Sequence, residues 1–99
     1  MLPSKYIRKG WCQGVYAMDR GQQGCHAEDP FAVAWCIQGA VLASKLSGTL
    51  SAKKERALLN LVMEFVGWHP AAWNDALGRT QDEVASLLES CEAKLGLGG

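Results

Sequence analysis

Charge of either sign is not in excess in this sequence, because ten basic and ten acidic side chains cancel. A nucleic-acid binder draws affinity from a basic surplus over phosphates, so nucleic acid is disfavoured as a partner. The same balance argues against an acidic mimic of DNA, and a charge-driven partner must be met by a local patch. Apolar runs of membrane-spanning length are missing as well. The longest, over residues 31–46, has about 14 mostly apolar residues where a span needs about 20. The first ten residues contain no apolar stretch of signal-peptide length. The expectation is a cytoplasmic protein with no membrane contact, whose four cysteines are free thiols.

Motifs of established chemistry are equally scarce. No Cys-x-x-Cys pair occurs, and nothing matches a nucleophile elbow. Gly10-x-x-x-Gly14 precedes no strand–loop–helix pattern and lacks the Lys of a phosphate loop. No internal repeat or low-complexity segment is present. These gaps point to a chain without metal or cofactor, and not to an enzyme.

What is present is an ordinary globular composition, 48% hydrophobic and 20% charged. A chain of 99 residues makes one domain, spanning 1–99, that buries roughly 60–65% of its unfolded surface. Residues 29–46 predict its central element, a core helix capped by Asp29 with Pro30 in the first position. Beyond these two only Gln38, Ser44 and Lys45 are polar, and a helix apolar nearly all round is buried. Phe31, Trp35, Gln38 and Leu42 would form one row and Val33, Ile37 and Val41 another. A groove of Ala32, Cys36, Ala40 and Ser44 would lie between them.

Around this helix the sequence predicts a short leading helix over 4–9, ended at Gly10. Alternation over 15–18, turn chemistry at Asp19-Arg20-Gly21 and return over 22–26 predict a β-hairpin. Ser51 caps a helix to Val66, with Leu58, Leu61, Val62 and Phe65 as its buried stripe, widened by Leu59 and Val66. Gly67 ends it. A loop over 67–79 follows, with Pro70 starting a helical turn. Thr80-Gln81-Asp82-Glu83 is a capping box for a last helix that turns Val84, Leu87, Leu88, Cys91 and Leu95 to one face. Gly96 stops it, and Gly98-Gly99 reads as a frayed end. The fold class is mainly α: three to four helices around a central apolar one, with a small β-hairpin near the amino terminus.

Three segments carry a family resemblance: Gly10-Trp11-Cys12-Gln13-Gly14, then Asp29-Pro30 with Ala32-Val33, Trp35-Cys36 and Gly39-Ala40, then Trp73-Asn74-Asp75 with Gly78-Arg79-Thr80 and Glu83-Val84. In order and spacing they resemble a domain-of-unknown-function family of small proteins from bacteria and their phages, over Gly10 to about Leu88. The sequence departs from that pattern at Leu77, where a proline is expected, and in its shorter leading helix. The resemblance implies an architecture and a phage or bacterial setting, and no mechanism.

Several constellations invite chemistry. Cys12, Cys25, His26 and Cys36 are potential zinc ligands, but without close pairs core packing is the better reading of Cys36 and Cys91. Cys12 with His69 and Asp75 would make a sensible nucleophile, base and orienting acid if the fold joined them. Trp68, His69, Trp73, Asn74 and Asp75 form either a recognition surface or a lid, with indoles closing the core and the Asx side chains bonding loop backbone. Lys53, Lys54 and Arg56 fall in the first turns of a helix, where its dipole disfavours cations by ~0.3–1 kcal/mol each.

The function expected is therefore a non-enzymatic protein–protein interaction module, plausibly phage-encoded. It would modulate or inhibit a host protein complex such as a defence system through Lys53, Lys54, Arg56 and the Trp68–Asp75 residues. The alternative is a small-molecule-binding protein or small enzyme with a Cys12, His69, Asn74 and Asp75 pocket, and a homodimer contact through the Trp-rich loop stays open.

Overall fold

Among the described residues four helices start at a side-chain cap, and the short leading one starts at a proline with no side-chain cap. In the computed structural model, which describes residues 1–97, the elements in order are α1 (Pro3–Lys9), β1 (Ala17–Asp19), β2 (Gly24–Cys25), β3 (Ala32–Trp35), α2 (Ile37–Leu46), α3 (Ala52–Val66), α4 (Pro70–Asn74) and α5 (Gln81–Lys94). The Gly98-Gly99 end lies outside the described residues. Ser51 caps α3 by accepting the Lys54 amide, and Gly67 ends it in the left-handed region at φ 79°. Pro70 begins the one-turn α4. The Thr80–Glu83 capping box opens α5 with both reciprocal bonds made. The protein is mainly helical, as its periodicities predict.

The expected helix over 29–46 is the main correction. Only Ile37–Leu46 is helical, and Ala32–Trp35 is a strand. Asp29 does not cap a helix: its Oδ1 accepts the Phe31 amide at 2.8 Å and its carbonyl accepts the Ala32 amide at 2.9 Å, which makes Asp29-Pro30-Phe31 a turn. The row built on Phe31 therefore does not exist, and Phe31 is 76% exposed. Long-range pairing overrides the helical period here. Ala17 and Met18 of β1 face Trp35 and Ala34 of β3 in an antiparallel ladder, and β1 pairs with β2 on its other edge. The expected hairpin is present, but as two strands of a three-stranded sheet in the order β2-β1-β3.

The helix packing also differs from the arrangement expected. The short α1 lies against both α2 and α5, while α5 packs on α1 and α3. Ile7 of α1 is fully buried with Ile37, Val41, Leu58, Val62 and Leu88 from the longer helices. Polar side chains hold α1 in register on α5: Arg8 pairs with Asp82 at 2.7 Å and Glu89 at 2.9 Å, and the Ser4 amide and hydroxyl both donate to the buried Glu92 carboxylate. On α3, Leu58 and Val62 are buried as expected, but Phe65 is 52% exposed, with the Lys94 ammonium 5.4 Å from its ring centre. Leu95 likewise leaves the face assigned to it for the surface. Among the described residues no helix is long and apolar enough to cross a membrane.

Candidate functional site

The three sequence segments that carry the family resemblance meet at one side chain, Asn74. It closes the one-turn α4 and is fully buried. Its Oδ1 accepts the Trp11 indole N–H at 2.9 Å and the Ile37 amide at 3.1 Å. Its Nδ2 donates to the Cys12 carbonyl at 3.2 Å and to Asp75 Oδ1 at 2.9 Å. Both acceptor sites and both donors of the amide are thus used, the full complement for Asn. One side chain ties the leading segment, the start of α2 and the loop before α5 to each other.

Neighbouring residues complete the junction. Gln13 Nε2 donates to the Asn74 carbonyl at 3.0 Å and the Ala76 carbonyl at 3.2 Å, and the Gly14 amide donates to Asp75 Oδ1 at 3.0 Å. The leading segment also lies beside β3, where the Cys12 amide donates to the Trp35 carbonyl and the Trp35 amide to the Gly10 carbonyl. Gly10 is required there by proximity, since a Cβ would stand 2.0 Å from the Val33 carbonyl oxygen. Arg79 secures the loop from the other side: its Nε donates to the Trp73 carbonyl and its guanidinium lies 3.9 Å from the Trp73 ring centre.

Beside this junction opens a cleft of about 240 Å³ bordered by Gly14, Val15, Tyr16, Cys36, Gln38, Ala71 and Asp75. The buried Cys36 thiol borders it as the cap of α2, accepting the Gly39 amide at 3.3 Å. Gly39 lets the segment leading into β1 lie close against α2, for a Cβ there would meet the Tyr16 carbonyl oxygen at 1.8 Å. Cys12 is buried nearby and donates weakly to the Val15 carbonyl. Burial, aided by Cys36, Asp75 and Cys25, pushes the Cys12 thiol up to about 12. Burial also raises Cys36. Both thiols stay protonated at neutral pH, the reverse of what a nucleophile needs.

The residues that the sequence groups together serve different roles in the structure. Asp75 approaches Cys12 closely enough to raise its pKa, whereas His69 caps α4, its Nδ1 accepting the Ala71 amide at 3.2 Å. Among the described residues, no three His, Cys, Asp or Glu side chains form a group that would hold a metal ion. Within the loop, Trp68 and His69 are exposed and Trp73 is half-buried. Asn74, expected at a partner surface, is instead internal, because its four hydrogen bonds hold the loop from beneath. The loop is thus part lid and part surface. Lys53, Lys54 and Arg56 are all exposed, and among the described residues none makes an ion pair. Lys53 and Arg56 border a shallow groove with Ala57 and Asn60. Gln13 at the junction and Gln38 at the cleft had no functional role assigned from the sequence, and Cys36, read there as core packing or a zinc ligand, is the cap of α2.

A family model described as a family of unknown function, DUF6197, matches residues 5–94. No curated protein and no solved structure matches the chain.

Proposed function

The chain belongs to that family, which brings no mechanism with it, and we propose that it works as a non-enzymatic protein–protein interaction module docking an acidic partner surface on α3. The observation that supports this reading most is the state of Lys53, Lys54 and Arg56. They are exposed and unpaired among the described residues, in the opening turns of a helix whose dipole opposes them. The same chain places acids where stability wants them, since Asp82 and Glu83 occupy the first turn of α5. Arg8, Lys45 and Arg79 have acidic partners, whereas Lys5, Lys9, Arg20 and Lys94, like the three cations of α3, make no ion pair among the described residues. Cations kept against the dipole and left unpaired fit a role outside the fold. The phage or bacterial setting that the resemblance implies makes a host protein complex, such as a defence system, the proposed target. Trp68 and His69, exposed past the end of α3, extend the candidate surface. The enzyme alternative based on Cys12 gains no support, because its thiol is buried and held protonated.

The test is a pull-down with the tagged protein from host lysate, followed by affinity measurement on the partner recovered. Replacing Lys53, Lys54 and Arg56 together by Glu is expected to abolish binding, while helix content by circular dichroism holds or rises, because acids suit these positions. Unchanged affinity would remove this face from the proposal, and self-association in place of a host partner would redirect it to a homodimer.

A further inference from the structure

We propose that the cleft beside Asn74 binds a compact organic cation, an alkylammonium or guanidinium head group, with Asp75 as its counter-ion. The site is separate from the α3 face, and its chemistry follows from its lining. Gly14, Val15, Tyr16, Cys36, Gln38, Ala71 and Asp75 include one carboxylate and no Lys, Arg or His. Asp75 uses a single oxygen for the fold: Oδ1 accepts the Gly14 amide and Asn74 Nδ2, both neutral donors. Among the described residues, Oδ2 accepts no hydrogen bond and no cation pairs with this carboxylate. The Gln38 side chain, also unbonded among the described residues, adds a second acceptor on the rim.

The helix starts that border the cleft do not turn it into an anion site. At α2 the Ile37 amide is taken by Asn74 Oδ1 and the Gly39 amide by the Cys36 thiol. At α4 the Ala71 amide is taken by His69. These three donors are spent inside the protein, and the one full charge on the lining is that of Asp75. Size narrows the class further. A volume of about 240 Å³ lies below the ~300–1,000 Å³ of pockets that enclose a whole drug-sized ligand. It suits a head group of a few heavy atoms, flanked by the apolar Val15 and Ala71. Such a head group can belong to a free small molecule or to an Arg or Lys side chain of a peptide, and a charge-assisted hydrogen bond to Oδ2 is common to both.

Titration of the full chain with methylguanidinium and with n-butylammonium, followed through backbone and Gln38 side-chain amide resonances, tests the proposal. Saturable shifts at millimolar concentrations are expected at Gly14, Gln38 and Asp75, with none from n-butanol or N-methylurea. Asp75→Asn should weaken binding about tenfold or more, as expected for loss of a charge-assisted bond. Because Asp75 also supports Gly14, Gln38→Lys serves as the second variant: its own ammonium should occupy the cleft and abolish the shifts in a folded protein. A short Arg-containing peptide that binds more tightly than methylguanidinium assigns the head group to a side chain, and equal or weaker binding assigns it to a free ligand. Shifts equal for n-butanol, or full binding retained in folded Asp75→Asn or Gln38→Lys protein, overturn the proposal.

Discussion

Trp11 and Asn74, 63 positions apart in sequence, are joined by an indole N–H donating to a buried amide oxygen at 2.9 Å. The same oxygen accepts the Ile37 amide, so the leading segment and the start of α2 share one acceptor. Removing either partner has unequal consequences, because Asn74 serves several groups and Trp11 Nε1 serves one.

Asn74→Ala leaves the Ile37 amide and the Cys12 carbonyl unpartnered in the interior and the Trp11 indole unpartnered at its half-buried edge. At about 1–3 kcal/mol for each unsatisfied buried group, the substitution is expected to cost roughly 3 kcal/mol or more. Trp11→Phe, which removes one donor and keeps most of the ring, is expected to cost roughly 1 kcal/mol. Urea midpoints of the two variants measure the gap, and equal losses would sink the idea that Asn74 is the hub.

Two glycines separate steric need from backbone conformation. A Cβ at Gly39 would stand 1.8 Å from the Tyr16 carbonyl oxygen, whereas Gly48, at φ 86°, has nothing within 4 Å. Gly48→Ala is expected to cost about 1 kcal/mol, the strain of a left-handed alanine. Gly39→Ala must push the Tyr16 segment that leads into β1 off α2 and is expected to cost several times as much, or to prevent folding, as an overpacked core position does. Thermal melts of both variants decide it, and a Gly39→Ala protein as stable as Gly48→Ala would contradict the close approach.

Glu92 gives stability a pH dependence opposite in sign to that of the surface carboxylates. Burial raises its pKa, opposed by the two bonds from Ser4, so the folded state holds its proton more tightly than the unfolded chain. Its contribution to stability is therefore greatest below the unfolded carboxyl value near ~4.3 and is lost as pH rises through the folded value. Glu89, lowered by Arg8, and Glu83, lowered by the Thr80 amide, contribute above that unfolded value and lose it as pH falls. Glu92→Gln removes only the first effect. Its stability relative to the wild type should improve in urea titrations as pH rises from the unfolded carboxyl value through the raised folded one. A flat difference would falsify the assignment.

Thiol reactivity ranks the cysteines by burial. Cys12, Cys36 and Cys91 are buried and Cys25 is half-buried, and all four are raised in pKa with desolvation first among the causes. Under native conditions an alkylating reagent should label Cys25 first by mass spectrometry, with the other three slow until the protein is denatured. Rapid labelling of Cys12 would restore the nucleophile reading.

Local chemistry, legible in order along the chain, determined much of this protein. Ser51, Gly67, Pro70 and the Thr80–Glu83 box act within one helical turn, and each element they announced is present. The β1–β2 turn is equally local, because Asp19 Oδ1 accepts the Gly21 and Gln23 amides a few residues on. The candidate basic face was legible too, since exposure of Lys53, Lys54 and Arg56 follows from the apolar stripe on the other side of α3.

Tertiary structure decided what depends on partners distant in sequence. An apolar run from Phe31 to Leu46 suits a buried helix and a buried strand alike, and only the β1 edge, pairing Ala17 with Trp35, divides it between the two. The sequence left Asn74 between a recognition surface and a lid, and donors and acceptors from Trp11, Cys12, Ile37 and Asp75 satisfy it fully inside, where only the folded chain brings them together. The cleft beside it has the same origin: its walls come from three segments, so its shape and its lone carboxylate exist only once those segments meet. Caps and turns close over a few bonds of chain and are written locally; pairing, burial and clefts require contacts whose geometry no single segment contains.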